Sequence, residues 1–489
     1  MPKDSQIKVL IVGAGEAGEL VCNSIANSKG TSFSVVGFVD DDKKKTGATV
    51  CGHKVLGTLE DIQDIVKGEQ VAELIICVPS GRGDVVRRVV ENTLGLKVVF
   101  KILPRISEVL AQKKEKDYLQ YVRRVKPEDL LGGEILKSDQ AGIFKYVTDE
   151  TILVTGAAGS IGSELCRQLC AYHTKKLVFF DWWENGMFDL SEYIKEKFPD
   201  QDCHFVIGNI NDRKKINSVM EAYSPTTVFH AAAYKHVPLM EGNPTEAIKN
   251  NILGTKTVAE MAIKNQVKKF ILISSDKAVN PTNIMGATKR GAEKVIHILS
   301  ESQNVTTFCA VRFGNVINSN GSAIPTFERQ IEKGGPVTVT HKDINRFFMT
   351  ISEAVHLILQ AWMMGENNDL FVLDMGQPIK IYDLARLLIV LHGYIPNKEI
   401  KIKFTGLRPG EKLYEEVLVK EEEVSSTTVE KIFRTKNFMD FNKLEFLNNL
   451  SLITEIVEED GLCTQNGVCS VEIKSRLKKM ISTYQPANI

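Results

Sequence analysis

Short apolar runs recur along this chain, and most stop at a glycine or an acid. The first, from Lys8 to Val12, runs straight into a GxGxxG turn at Gly13, Gly15 and Gly18, and a helical pattern follows from Glu19 to Ala26. The next predicted strand, Ser34 to Val39, ends in Asp40, 22 residues past Gly18. Two more follow: Glu73 to Val78, ending in Pro79, Ser80 and Gly81, and Lys97 to Ile102, ending near Pro104. A second opening begins at Thr151 and reaches Gly156, Gly159, Ser160, Ile161 and Gly162, now spaced GxxGxxG. The strand Lys176 to Phe180 then ends in Asp181, 19 residues after Gly162. Further strands are predicted at His204–Ile207, Thr227–His230, Lys269–Ser274 and Thr307–Arg312. Strands that alternate with helices imply parallel, doubly wound sheets. The fold expected is α/β with two Rossmann-type parallel sheets, the second followed by a smaller C-terminal substrate-binding region. The two glycine turns lie 143 residues apart, which resembles duplication of an architecture and not a short repeat.

Breaks in this rhythm set the expected domains. Residues 1–125 form a nucleotide-binding-type N-terminal domain, 126–149 a linker, 150–430 a catalytic domain and 431–489 a helical extension. The polar stretch from Arg123 to Val147 reads as a linker packing along the second domain. Beyond Asn315 the strand–helix order loosens, and Gly321, Pro325, Gly334, Gly335, Pro336, Pro378, Pro409 and Gly410 mark loops.

Composition narrows the class. Apolar residues make up 43% and charged residues 25% of the 489, as in ordinary soluble domains. The formal net charge is zero, so no bulk electrostatic argument favours nucleic acid or an anionic membrane. Nine cysteines show no metal-ligand spacing, Cys166/Cys170 and Cys463/Cys469 included, and no metal is expected. With no signal peptide they read as reduced cytosolic thiols, buried as small apolar residues, and a cytoplasmic protein is expected. The longest apolar stretch, Leu384 to Ile395, is broken by Arg386 and His392 and is too short to span a bilayer.

The candidate chemistry sits after the strand at Lys269–Ser274. Ser275, Asp276 and Lys277 place a hydroxyl, a carboxylate and an amine in a row at its carboxyl end, where open parallel sheets bind ligands. An acid beside an amine can protonate a leaving hydroxyl and remove an acidic carbon proton. Lys277 would need a depressed pKa to act as the base. Met285 and Lys289 share one face of the following helix. Lys289 can reach a nicotinamide ribose. Met285 stands where a tyrosine acid/base could have been, and it cannot move a proton. The second glycine turn, Asp181, the strand end at Ala231, Ala232 and Ala233, and Lys289 converge on a dinucleotide site. Asp181 favours NAD over NADP, because a 2′-phosphate would meet its charge and Trp182 and Trp183 follow instead of an arginine. For the first turn, nucleotide binding and simple tight packing stay open.

These motifs, with AAAYKHVPLME at Ala231–Glu241, Asn251 to Thr255 and RFGNV at Arg312–Val316, resemble the extended short-chain dehydrogenases/reductases. Within them the chain is similar to the nucleotide-sugar 4,6-dehydratases of bacterial polysaccharide and glycan biosynthesis, over residues 125–485. The first 125 residues resemble the extra domain of that family's long members, which usually begin with transmembrane helices. No such run is present here, so a soluble or trimmed version is expected. The resemblance implies a tightly held NAD, oxidation of sugar C4, loss of the C5 proton and C6 hydroxyl, and hydride return to C6. It makes Lys277 the C5 base and Asp276 the C6 acid, and puts the Ser275 hydroxyl near the C4 oxygen. Met285 reads as a core packing residue and is also grouped with the substrate-binding residues, and it points to the configuration-retaining UDP-N-acetylglucosamine enzymes. Lys235 and Asn315 are implied to contact substrate, and Arg346, Arg408 and Glu411 to grip the uridine diphosphate. Asn209 and Ile210 lie in the implied adenine turn, where Asp often replaces Asn209, and Asn251 joins the cofactor set. Gly133 replaces a frequent arginine of the linker. A homo-oligomer is expected. The rival readings are a 4-epimerase, a C5-inverting dehydratase, and a non-catalytic nucleotide-binding protein.

Overall fold

Every residue of the run Ile152, Leu153 and Val154 is fully buried, and so are Leu177 to Phe180 and Phe270 to Leu272. A strand with both faces covered needs such an unbroken apolar sequence. The computed structural model that shows this describes residues 6–28, 32–78, 83–104, 118–131, 140–418, 423–436, 441–459 and 468–486. The turn at Pro79 to Gly81, Gly133, Cys463 and the side chain of Cys469 lie outside the described residues. Two compact units are present.

The first unit holds a seven-stranded sheet in the order Thr49–Val50, His53–Gly57, Phe33–Val39, Ile7–Val12, Glu73–Ile76, Val99–Ile102, Arg123–Arg124. The five inner strands are parallel and the two outer ones antiparallel. The helix Glu16–Asn27 starts three residues earlier than its pattern predicts, with Gly15 as N-cap. Gly18 explains the early start. A Cβ there would lie 2.0 Å from the Gly13 carbonyl oxygen, so only glycine lets the first turn rest on the end of the strand. Part of the expected linker belongs to this unit: Arg123–Arg124 pairs with Val99–Ile102, and Arg123 makes a 2.7 Å ion pair with Asp129.

Gly321–Asp343 and Lys380–Thr405 also belong to the first unit, although sequence spacing assigned them to the catalytic domain. Their helix Ile381–Leu391 buries Leu384, Ala385, Leu387, Leu388, Ile389 and Val390. A helix apolar on so many sides needs cover from several elements, and helix Gly83–Asn92 is one of them.

The second unit is built on a nine-stranded sheet. Its seven parallel strands run in the order Cys203–Ile207, Lys176–Asp181, Thr151–Thr155, Thr227–His230, Lys269–Ile273, Thr307–Arg312 and Asp369–Leu373. The order reverses beside Thr151–Thr155, as in doubly wound dinucleotide folds. Ile432–Lys436 and Glu423–Ser426 extend it antiparallel, so the expected helical tail opens with a strand. Alternate side chains feed two cores. Ile152, Val154, Phe179, Phe229 and Ile271 pack under helices Ser160–Ala171 and Ile351–Met364. Leu153, Val178, Phe180, Val228, Phe270 and Leu272 pack under helices Arg213–Tyr223, Thr255–Lys264 and Ile284–Ser302. The C-terminal helices Lys443–Glu459 and Val468–Met480 share a further apolar cluster with helix Ile284–Ser302. Among the described residues no helix is long and apolar enough to cross a membrane.

The glycines give a test. A Cβ at Gly162 would sit 2.0 Å from the Gly156 carbonyl oxygen, while one at Gly15 meets nothing within 4 Å. Gly162→Ala is expected to destabilise the protein by about 1–3 kcal/mol, and Gly15→Ala by less than about 1 kcal/mol. Urea titration followed by circular dichroism measures both.

Candidate active site

The parallel strands of the second unit bring the candidate residues to one edge of the sheet. Gly156 ends its strand with φ +71°, and a Cβ there would lie 2.6 Å from the Ala232 backbone nitrogen. The glycine turn therefore touches the Ala231 to Ala233 segment that leaves the neighbouring strand. Asp181, buried, accepts the Ala158 N–H at 2.9 Å and the Trp183 N–H at 2.9 Å, which fixes both loops. The Ser160 hydroxyl accepts the Asn320 N–H at 3.2 Å, and Ile161 packs on the core. Asn209 is exposed and its Oδ1 accepts the Asn211 N–H, while Ile210 is buried over Gly254.

Asn251 does something other than face a ligand. Its carbonyl accepts from the Tyr234 N–H at 2.8 Å and from Asn250, and its amide donates to the Tyr234 carbonyl and to Thr288 Oγ1, both at 3.0 Å. A fully used amide, 1% exposed, has no donor left for a cofactor. Asn251 instead clamps the segment after Ala233 to helix Ile284–Ser302.

Two strands over, the chain leaves Ile273 into the trio. Ser275 caps a short 3₁₀ turn, its Oγ accepting the Lys277 N–H at 3.3 Å and donating to Asp276 Oδ1 at 2.8 Å. Lys277 Nζ donates to the same Oδ1 at 3.1 Å and to Asn315 Oδ1 at 3.0 Å. Asp276 is 1% exposed and its Oδ2 has no hydrogen-bond partner among the described residues. A buried carboxylate oxygen without a donor is costly, and a proton of its own or a ligand hydroxyl would satisfy it. The Lys277 side chain is one-fifth exposed. The expectation that its pKa is depressed is corrected here. Burial by itself lowers it, but Asp276 and then Glu415, 3.9 Å away, outweigh burial and the opposing Arg346, and the ammonium titrates above its ordinary value.

Beneath the trio lies a buried ionic cluster. Glu293 Oε1 accepts from Ser274 Oγ at 2.6 Å and Arg312 Nε at 2.7 Å, and Oε2 accepts from Arg312 at 2.8 Å and Arg290 at 3.0 Å. Burial would raise its pKa, but Arg312, then Arg290 and Ser274, bring it down to about 2. Lys289 is buried and donates to the Ile273 carbonyl at 2.6 Å, and burial pushes it down to about 8. His230, between Thr155 Oγ1 at 2.7 Å and Thr255 Oγ1 at 2.9 Å, is held neutral by burial and by the Lys289 charge, at about 3.

The predicted substrate residues divide. Asn315 meets Lys277 directly. Lys235 lines the same region on its exposed side, and desolvation followed by the Lys277 charge lowers its pKa. Arg346 is buried and already engaged, with its own neighbour's Asn345 carbonyl at 2.7 Å, Glu411 at 3.5 Å and Glu415 at 3.5 Å. Glu411 also accepts the Arg408 N–H at 3.1 Å, and Arg408 is exposed. The Gly410 carbonyl of that loop accepts from Thr282 Oγ1 at 2.7 Å and Asn283 Nδ2 at 3.1 Å, which seats it at the start of helix Ile284–Ser302. Met285 is 2% exposed in an apolar cluster with Met240, Ile248 and Ile252, so it fills a core. Sequence reading missed Glu293, which carries the signal of an acid four residues after Lys289, and Glu415, for which no sequence signal existed because its partners are 69 and 138 residues away.

The first unit repeats the glycine device with a difference. Asp40 Oδ2 accepts the Ala14 N–H at 2.8 Å, as Asp181 does from Ala158, but Lys45 also ion-pairs with it at 2.9 Å. Burial would raise the Asp40 pKa; the bonds from Lys45, Asp42 and Ala14 bring it below the usual carboxylate range.

Fold and site together define a short-chain dehydrogenase/reductase-like protein whose acid–amine pair stands at the strand ends of a dinucleotide fold. The family described as polysaccharide biosynthesis protein matches residues 152–437, and the chain belongs to that family. A CoA-binding domain family matches residues 3–104. The chain is 46% identical over 432 residues to the capsular polysaccharide biosynthesis protein CapD of Staphylococcus aureus, covering 87% of this chain and 71% of that protein. It is 45% identical over 416 residues to the probable polysaccharide biosynthesis protein EpsC of Bacillus subtilis, covering 85% and 69%. Among solved structures, Pen from Bacillus thuringiensis is 35% identical with a TM-score of 0.55, covering 59% of this chain and 90% of that one.

Two outcomes are expected. Glu293→Gln leaves two buried guanidinium groups without a counter-charge and costs about 3–5 kcal/mol. The native Glu293 carboxyl titrates at about 2 against an ordinary 4.5, so its stabilisation is present above pH 4.5 and is lost as pH falls toward 2. Unfolding midpoints measured across that window should fall in the parent and lose this component in Glu293→Gln. Met285→Tyr forces extra volume and a hydroxyl into a core and should cost about 1–3 kcal/mol in the same assay.

Proposed function

We propose that the protein converts UDP-N-acetylglucosamine to the UDP-4-keto-6-deoxy sugar with the C5 configuration retained. The observation that carries this reading is the Asp276–Lys277 pair, with Lys277 Nζ 3.1 Å from Oδ1 and the other carboxylate oxygen buried without a donor among the described residues. Elimination of water needs a base for a carbon proton and an acid for a leaving hydroxyl. Epimerisation at C4 needs no acid at C6.

The residues fit a nicotinamide dinucleotide. A Cβ at Gly156 or Gly162 would meet backbone atoms, so these glycines pack the turn tightly, and the helix start at Ser160 would offer its N–H groups to a pyrophosphate. Asp181 would take the adenosine ribose, and Lys289 the nicotinamide ribose. NAD, when bound, would accept one hydride from the sugar and give it back.

The protein's own contribution is proton management. With C4 at the ketone level, the C5 proton becomes acidic. The Lys277 amine would remove it, and the Asp276 carboxylic acid would protonate the C6 hydroxyl as it leaves. The ion pair and the neutral amine–acid pair hold the same number of protons. Moving one proton across the 3.1 Å contact turns the resting ion pair into the working acid and base. Elimination leaves Lys277 protonated and Asp276 ionised; as hydride returns to C6, the Lys277 ammonium would give a proton to C5, and the proton released from the C4 hydroxyl on oxidation would restore the resting pair. The raised Lys277 pKa describes that resting state and does not oppose the role. Ser275, hydrogen-bonded to Asp276, would place a hydroxyl near the C4 oxygen. Arg346, Arg408 and Glu411 would organise the diphosphate end, and Lys235 would meet it from the exposed side. Retention at C5 is supported by the absence of a phenol at Met285.

Incubation with the UDP-sugar should yield a product lighter by one water, carrying one deuterium at C5 when made in deuterated water. An isomer of unchanged mass would identify an epimerase, and no product would remove catalysis on this sugar. Lys277→Ala should lower turnover by about a hundred- to ten-thousandfold with bound NAD retained, measured by mass spectrometry and cofactor absorbance. An unchanged rate removes Lys277 from the mechanism.

A further inference from the structure

Glu415 follows the loop that carries Arg408 and Glu411, and its side chain is only 5% exposed. Its carboxylate lies 3.9 Å from Lys277 Nζ and 3.5 Å from Arg346 Nε. The Lys277 ammonium has three protons. Asp276 Oδ1 at 3.1 Å and Asn315 Oδ1 at 3.0 Å account for two of them. Glu415 is too distant for a third hydrogen bond and acts on Lys277 through its charge. We propose that Glu415 is a positioning residue, shared between Arg346 and Lys277, that holds the Lys277 amine in line with Asp276 and sets how readily it gives up its proton. The proposal rests on Lys277 being the base of the reaction inferred above.

Four charged groups face Lys277. Asp276 and Glu415 favour its ammonium form, while Arg346 disfavours it and Lys235 adds a second positive charge. Of these, Glu415 alone arrives on the segment seated by the Gly410 carbonyl on Thr282 and Asn283 and by the 3.1 Å bond from Lys412 Nζ to the Val279 carbonyl. The seating of that loop is thereby tied to the charge on the base. A loop displaced from Thr282 and Asn283 would take the negative charge with it and leave Lys277 easier to deprotonate.

The test reads Lys277 itself. Pulse acetylation with acetic anhydride across a pH series, followed by peptide mass spectrometry, gives the midpoint at which Lys277 becomes nucleophilic. In Glu415→Gln that midpoint should fall by about one pH unit, and the basic limb of the kcat/KM profile should move the same way. Glu415→Asp keeps the charge at a greater distance, so its midpoint should lie between the two; it also serves if the Gln variant folds poorly. A midpoint in either variant that stays put or rises overturns the proposal. The labelling requires no turnover. A shifted midpoint in a chain that never dehydrates the sugar would sink the functional reading and keep Glu415 in its place. Dehydration with an unmoved midpoint would do the reverse.

Discussion

The candidate site depends on one buried carboxylate. Glu293 has no solvent exposure, and it binds Ser274, at the end of the strand that carries the trio, to Arg312 on the next strand and to Arg290 on its own helix. Two guanidinium groups and a hydroxyl satisfy its oxygens, so the desolvation of the carboxylate is met by short charge-assisted bonds. With strand end and helix locked together, the backbone has one exit from Ile273. Ser275, Asp276 and Lys277 then emerge in fixed register against Asn315.

The same low-dielectric region separates the titrating groups by neighbourhood. His230 is neutral because burial and the Lys289 charge both penalise its imidazolium. Lys289 is lowered to about 8 because burial outweighs Glu293. Lys277, closer to the surface and beside Asp276 and Glu415, moves the other way. Burial sets the direction for His230 and Lys289, and two neighbouring carboxylates reverse it for Lys277. An amine held charged next to a carboxylate with one orphaned oxygen is a proton pair in its resting tautomer, which is why a raised lysine pKa and a base role are compatible.

Both units use a glycine turn closed by an acid at the end of the next strand, and they use it differently. Asp181 accepts backbone N–H groups from the turn and from its own loop. Asp40 does so too but adds the Lys45 ion pair. A ribose hydroxyl approaching Asp40 would meet a lysine already in place.

The sequence determined the two sheets, because unbroken apolar runs such as Phe270–Ile273 suit strands buried on both faces, and glycines at fixed spacing suit tight strand-to-helix turns. It also determined the trio, since Ser275, Asp276 and Lys277 are neighbours in the chain. Contacts between distant segments were not legible. Asn251, expected to face the cofactor, spends its amide on Tyr234 and Thr288. Met285, read as a core methionine and also grouped with the substrate-binding residues, fills a core with Met240. Residues 321–343 and 380–405 left the domain their spacing assigned them, since the many-sided apolar helix Ile381–Leu391 found cover in the first unit. Glu415 reached Lys277 across 138 positions. Periodicity is a local property and survives in one dimension; which carboxylate faces which amine is set by packing, and only the folded chain decides it.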